Sequence, residues 1–296
     1  MKRILQNFNV FKKSFFRGLG TSFTILSTVL LLIPKEDIGI TSRCRAIFLF
    51  FFLIFLSIIY AALMACFYKK RVVFDYSQGK LLLKYDDLWK IAFPKHNYFK
   101  DKAKKIVVVS VNTTFDTIVD EDLMNIKKPL VSVNTMHGQW IKEMQKRKVD
   151  IEEIDRTIQE NLRLQDIRPI KKLERSQKER GKLECFEKGT VAVYEYNDTV
   201  FYLLALSEFD ENNKAQNTKK ELIKTIERLI EYYDNHGQGY ELYIPLLGTG
   251  RSRTDISPEE ALQIIVSTFK IYKSAVQGNV NIIVYKKQRD KVSLDI

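Results

Sequence analysis

The chain has 296 residues, a formal net charge of +12 and three cysteines, which is long enough for one full domain plus further segments. Cys44, Cys66 and Cys185 are scattered without paired spacing, so a disulfide framework and a zinc site are both disfavoured and a reduced compartment fits. Through residue 71 eleven basic residues face two acidic ones, which leaves +9 of the +12 in the first quarter and +3 in the remainder. That charge flanks apolar runs, the pattern of membrane insertion rather than of a nucleic-acid-binding face.

The N-terminus carries Lys2, Arg3, Lys12, Lys13 and Arg17, then an apolar run from Leu19 to Ile33 that Pro34 stops. A second run, Ala46 to Tyr68, contains no charge. About 20 apolar residues span a bilayer. The second run meets that length; the first does so only if Phe15 and Phe16 are counted and Arg17 snorkels. A cleaved signal peptide is the alternative for the first run. No small-residue cleavage site follows it, however, and a second apolar run comes almost at once. The sequence therefore predicts a two-helix transmembrane hairpin within residues 1–70, with helices at about 15–34 and 46–68. Basic residues precede the first run, and Lys69, Lys70 and Arg71 follow the second. The connecting loop nets only +1, from Lys35, Arg43 and Arg45 against Glu36 and Asp37. Both termini and the large C-terminal part are expected on the cytoplasmic side of the membrane, with the connecting loop outside.

From residue 71 the composition changes, and residues 71–296 form the domain that this orientation places in the cytosol. Val72–Phe74 and Lys80–Tyr85 read as short strands around Ser77-Gln78-Gly79. Lys104 to Val111 is a β-branched run without polar alternation, as a buried central strand shows. It ends in the polar loop Asn112-Thr113-Thr114-Phe115-Asp116-Thr117. Leu130–Val133 is a strand candidate. Helices are predicted from His137 to about Lys146 and from Ile151 to about Leu164. The charged run Lys171 to Lys182 reads as a solvated surface. Thr190–Glu195 and Thr199–Leu206 read as a hairpin. Lys219 to Tyr233 carries a helical apolar stripe that ends at His236-Gly237. The strand Tyr240–Ile244 leads into Pro245-Leu246-Leu247-Gly248-Thr249-Gly250-Arg251-Ser252-Arg253. A capping box, Ser257 with Glu260, then opens a helix with Pro258 in its first position. Asn281 to Tyr285 is a last strand. Alternating strands and helices predict a three-layer α/β/α domain, in which ligands sit at the carboxyl ends of the strands.

Two polar loops follow strands in that way. In the second, two glycines allow a tight turn and close approach of a ligand. Its amides, the hydroxyls of Thr249 and Ser252, and the charge of Arg251 could converge on one anion. An ordinary strand–helix connection has the same composition. The loop is neither a Walker sequence nor a Rossmann fingerprint, because it lacks the Lys-Ser/Thr ending and the third glycine respectively. The Asn112–Thr117 loop is open to a second reading too, as a solvated turn with a capping Asp. His137 at a helix start suits either a structural or a functional role, and Asp86-Asp87 is either a charged strand end or an acid–base pair. No Ser, Cys or His triad and no metal-spaced cluster can be assembled from the sequence.

Taken together, these pieces resemble a macro domain over roughly residues 72 to 290. They occur in that family's order: Asp86-Asp87-Leu88 after an early strand, Val111-Asn112-Thr113-Thr114 after a buried one, Gly189-Thr190-Val191-Ala192, and Pro245-Leu246-Leu247-Gly248-Thr249-Gly250. The resemblance implies an ADP-ribose derivative as ligand and no further cofactor. Asp87 would meet the adenine amino group, Asn112 the distal ribose, and the glycine loop the diphosphate. The Asn112–Thr117 variant, Met136-His137-Gly138-Gln139-Trp140 and the apolar N-terminus are similar to one branch, the membrane-spanning macro-domain effectors of bacterial Thoeris antiphage systems. There, a TIR-domain enzyme consumes NAD to make an ADP-ribose-type signal, reported as histidine-ADP-ribose. The effector binds it, assembles into homo-oligomers and disrupts the lipid bilayer, killing the infected cell; no nucleic acid takes part. Phe115-Asp116 replaces the second ribose-loop asparagine of enzymatic macro domains, and Asp86 stands where a glycine is usual. Both favour binding over the alternative, a membrane-tethered ADP-ribosyl hydrolase. Asp116 or His137 would then meet a group appended to the distal ribose.

Overall fold

A computed structural model of the chain describes residues 4–5, 7–32, 43–94, 103–122, 126, 129–209, 215–216, 218–249 and 256–296. The chain divides into two compact units, residues 1–71 with 287–296, and residues 72–286.

The first unit contains two 25-residue helices, α1 (Phe8–Leu32) and α2 (Arg43–Phe67). They pack through small residues. Ser57, Ala61 and Ala65 on α2 recur every fourth position and are buried, and a Cβ on Gly18 of α1 would lie 3.0 Å from the Tyr60 ring. Close backbone approach along such a seam suits association in lipid. The outward side of α2 carries Phe48, Phe51, Phe55 and Phe67, all well exposed. Among the described residues one helix is long and apolar enough to cross a membrane, the 21 residues Ile47–Phe67 with mean hydropathy 2.8. The two-span expectation is therefore met by two helices but by one span of that kind. The first helix starts at Phe8 rather than near residue 15, and its hydroxyls dilute the apolar run. Those hydroxyls are satisfied internally: Thr24 donates to the Gly20 carbonyl and Thr28 to the Thr24 carbonyl, each at 2.9 Å. The loop between the apolar runs lies outside the described residues. The C-terminal segment ties to the end of α2: Arg289 donates to the carbonyls of Cys66 and Tyr68, where a cation complements the helix dipole. Arg71 pairs with Asp295 at 2.8 Å. Cys66 and Cys185 are free thiols.

The second unit is built on one mixed sheet. In chain order its elements are β1 (Lys70–Tyr76), β2 (Gly79–Asp86), α3 (Leu88–Ala92), β3 (Lys105–Asn112), β4 (Val119–Asp120), β5 (Val131–Ser132), α4 (Met136–Lys146), α5 (Ile151–Leu164), β6 (Lys171–Lys172) and β7 (Glu184–Cys185). They continue with β8 (Val191–Tyr196), β9 (Thr199–Phe209), β10 (Ala215–Gln216), α6 (Lys219–His236), β11 (Glu241–Pro245), α7 (Pro258–Ile271) and β12 (Val280–Tyr285). The strand order is β1-β2-β12-β11-β3-β9-β10, with β8 also on β9. The pairings β2–β12, β12–β11, β11–β3 and β3–β9 are all parallel. β4–β5 and β6–β7 form two small separate ladders.

The layers follow from strand alternation. Phe201 of β9 meets Trp140 of α4 edge-on at 5.8 Å, and the next residue, Tyr202, meets Tyr232 of α6 at 5.1 Å. Successive side chains point to opposite faces, so α4 and α6 cover opposite sides of the sheet. Val107, Val109 and Val111 of β3 join Trp140, Ile141, Met144, Ile154 and Ile158 in one core cluster. Each such buried side chain contributes about 1.5–3 kcal/mol. The predicted Ser257–Glu260 capping box forms only by its first half, the Glu260 carboxylate pairing with Lys219 instead. Ser257 accepts from the Glu260 amide at 3.1 Å, and Thr218 with Glu221 completes a full capping box on α6.

Because residues 287–296 group with the helical unit, the separable domain is residues 72–286. Expressed alone, that fragment is expected to be soluble and to unfold in one cooperative transition. Aggregation without detergent would sink the expectation.

Candidate ADP-ribose site at the carboxyl edge of the sheet

The parallel strands deliver the predicted loops to one edge. β2 ends at Asp86, β11 at Pro245 and β3 at Asn112. Their order along the sheet is β2, β12, β11, β3. Asp87, the Leu247-Gly248-Thr249 turn and the Asn112–Thr117 loop therefore stand in a row three strand steps long, about 14 Å at about 4.8 Å per step.

At one end of the row Asp87 is the N-cap of α3, accepting from the Trp89 amide at 3.1 Å, and Leu88 is buried in the core. Asp86 is exposed and accepts from the Asp87 amide at 2.8 Å. In the middle, Leu247 and Gly248 are buried, Gly248 has φ +77°, and Thr249 Oγ1 donates to the Leu246 carbonyl at 3.1 Å. The left-handed φ is one a glycine adopts without cost. Gly250, Arg251 and Ser252 lie outside the described residues.

At the other end, a register shift at Val111/Asn112 in the β3–β9 ladder turns the chain off the sheet. Asn112 through Thr117 are all buried. Thr113 belongs to the scaffold: its amide donates to Ser207 O and its carbonyl accepts from Phe186 N. Phe115, at φ +50°, turns into the core against Phe186, ring centroids 5.6 Å apart. Thr117 donates to Asp155 at 3.0 Å.

Asp116 is the hub. Its Oδ2 accepts from Asn112 Nδ2 at 2.8 Å, Thr114 Oγ1 at 2.6 Å and Lys178 Nζ at 2.6 Å; its Oδ1 accepts from the Lys182 amide at 2.8 Å. Asn112 Oδ1 in turn accepts from the Asp116 amide at 3.0 Å. Burial pushes the Asp116 carboxyl up, but the Lys178 charge and the hydrogen bonds outweigh it and hold the carboxyl below its ordinary value. The run Lys171 to Lys182, read from sequence as a solvated surface, is exposed at most positions, and Lys178 is the exception. Lys178 is buried, because an ammonium can leave water when a carboxylate and full hydrogen bonding receive it. Sequence reasoning missed Lys178. Its partner lies 62 residues away, and no local pattern marks it.

His137, the second residue of α4, is buried, and burial depresses its pKa from 6.5 to about 3, with Asp116 opposing and Lys182 reinforcing the shift. It is neutral at physiological pH. As pH falls below about 6.5, the unfolded chain takes up a proton that the folded one refuses. Stability therefore drops with falling pH, by about 1.4 kcal/mol per unit. Between pH 7 and pH 5 the loss is expected to be about 2 kcal/mol. Asp116 contributes only at lower pH, because its folded pKa lies below its ordinary 3.8. His137→Gln should flatten the dependence in thermal unfolding at pH 7 and pH 5. A slope that survives in the variant would place the titration elsewhere.

The row offers an acidic loop, a tight glycine turn and a neutral polar loop in sequence, a layout for an elongated ligand with an anionic middle. Solved structures similar to this chain include the Oceanobacillus iheyensis macrodomain with ADP (TM-score 0.39, 11% identity, covering 75% of this chain and 90% of that one) and the same macrodomain with MES bound (TM-score 0.38, 11% identity, 75% and 90%). Thoeris protein ThsA of Bacillus amyloliquefaciens (strain Y2) is 28% identical over 285 residues, covering 93% of this chain and 86% of that protein. The family described as "Thoeris protein ThsA, Macro domain" matches residues 91–285, well over half of the chain. The chain belongs to the macro-domain family of Thoeris protein ThsA.

Proposed function

We propose that this protein is a membrane-anchored Thoeris effector whose macro domain binds an ADP-ribose-derived signal, histidine-ADP-ribose, made by a partner TIR-domain enzyme. The observation that carries the reading is the row Asp87, Gly248, Asn112 along one sheet edge. A ligand that meets all three needs a base at one end, a diphosphate over the glycine turn and a ribose at the other, spread over about 14 Å. The kinship with ThsA supports the antiphage setting, and the Ile47–Phe67 helix supports insertion in a bilayer. Two passes, with both termini cytoplasmic, belong to this reading. Signal binding drives assembly and membrane disruption, which requires the ligand to bind the assembled state more tightly than the free one.

Receptor function fits the ribose loop better than hydrolysis does. The Asp116 carboxylate is held below its ordinary pKa by Lys178 and its hydrogen bonds, and burial lowers the His137 pKa to about 3, so both are weak bases toward a water molecule. Titration of the detergent-solubilised full chain with ADP-ribose and with its histidine conjugate, followed by dye release from liposomes, tests the proposal. Binding of neither nucleotide would end it. Steady release of ADP-ribose from an ADP-ribosylated protein would convert the receptor into a hydrolase.

A further inference from the structure

The segment between β6 and β7 crosses the Asn112–Thr117 loop as a strap tied to itself and to the loop. Leu173 N donates to Leu183 O at 2.8 Å, and Arg175 donates to Gly181 O at 2.9 Å, which closes the strap. Its anchors then fall on successive parts of the loop and just beyond. Lys178 Nζ reaches Thr114 Oγ1 at 2.8 Å and Asp116 at 2.6 Å, the Lys182 amide reaches Asp116, Lys182 Nζ reaches the Phe115 carbonyl at 2.7 Å, and Arg180 forks onto Asp120 at 3.0 and 2.8 Å. Gly181, at φ +79°, lies so close that a Cβ there would sit 2.3 Å from Asp116 Oδ1.

We propose that Lys178 is a positioning residue that latches this strap as the wall of the candidate site at its Asn112 end, and so governs the fit of the part of the ligand farthest from Asp87. The proposal rests on the ADP-ribose reading. Three features carry it. All three ammonium protons are spent, on Asp116, Thr114 and the Lys182 carbonyl, so one side chain joins strap to loop. The carboxylate it meets also holds the Asn112 side chain, so the latch sets the orientation of the very amide placed against the ligand. A buried ion pair adds little stability compared with apolar packing; its better-attested use is to select one arrangement. The charged groups around it are otherwise paired: Lys182 with Asp155, and Arg180 with Asp120.

The test compares ADP-ribose with ADP, which lacks the distal ribose, by calorimetry on the detergent-solubilised full chain. Lys178→Met is expected to weaken ADP-ribose about tenfold or more while ADP stays within about twofold, and Lys178→Arg to recover part of the loss. A purely structural role would lower both affinities together. That result, or no change in either, overturns the proposal. If Lys178→Met does not fold, Asp116→Asn/Lys178→Met removes both charges at once. It is expected to bind ADP normally and ADP-ribose poorly, and wild-type affinity for ADP-ribose in it would also overturn the proposal. Wild-type protein that binds neither nucleotide removes the functional reading itself, and the proposal with it.

Discussion

Asp116→Ala is expected to destabilise the second unit by about 3–5 kcal/mol, the cost of leaving one partner of a buried ion pair alone. The Lys178 side chain is 7% exposed and that of Asp116 is 1% exposed, so water cannot replace the lost carboxylate without opening the strap. The change also strips an acceptor from Asn112, Thr114 and the Lys182 amide. Asp116→Asn keeps an acceptor oxygen and loses only the charge, so its cost should be smaller. Chemical unfolding followed at the second unit would measure both. A loss under about 1 kcal/mol for the alanine variant, the range of exposed pairs, would mean that Lys178 reaches solvent and the strap is not fixed as described.

Gly248→Val is expected to lower affinity for ADP-ribose and for ADP alike, by about 100-fold or more. The reason is backbone rather than side chain. At φ +77° a β-branched residue is strained by about 1–3 kcal/mol, and the turn Leu246–Thr249 must rearrange, moving the amides that the proposed site offers to a diphosphate. The turn is confined between the end of β11 and α7, so the fold should survive. Parallel loss of both nucleotides separates this variant from changes at Lys178, which should discriminate between them. Calorimetry that finds unchanged affinity would remove the turn from the site.

Much of this architecture is legible in the sequence because local chemistry decides it. The β-branched run before Asn112 can only be a buried strand. The α5 boundaries at Ile151 and Leu164 follow from its apolar period, and the Ser257 cap forms as its spacing predicts. Loops at strand carboxyl ends are likewise visible as breaks in the apolar pattern at Asn112 and Gly248. The Lys178 latch was hidden, since a lysine among charges reads as solvated unless its distant carboxylate is known. The inward turn of Phe115 was hidden too, because a loop aromatic gives no sign of which way it faces. The first apolar run misled in a third way. Its apolar residues mark the membrane-like stretch, but the helix continues seven residues upstream of Phe15, to Phe8, through a segment whose Lys12 and Lys13 break the apolar run.

β12 is the last strand made and one of the most central. It lies between β2 and β11, so Asp87 and Gly248 acquire a common frame only once residues 280–285 have been synthesised and inserted between them. A nascent or truncated polypeptide that ends before Val280 therefore carries both loops without the strand that sets their spacing. In the order of translation, the frame that spaces these two loops is therefore closed only when this strand has been made.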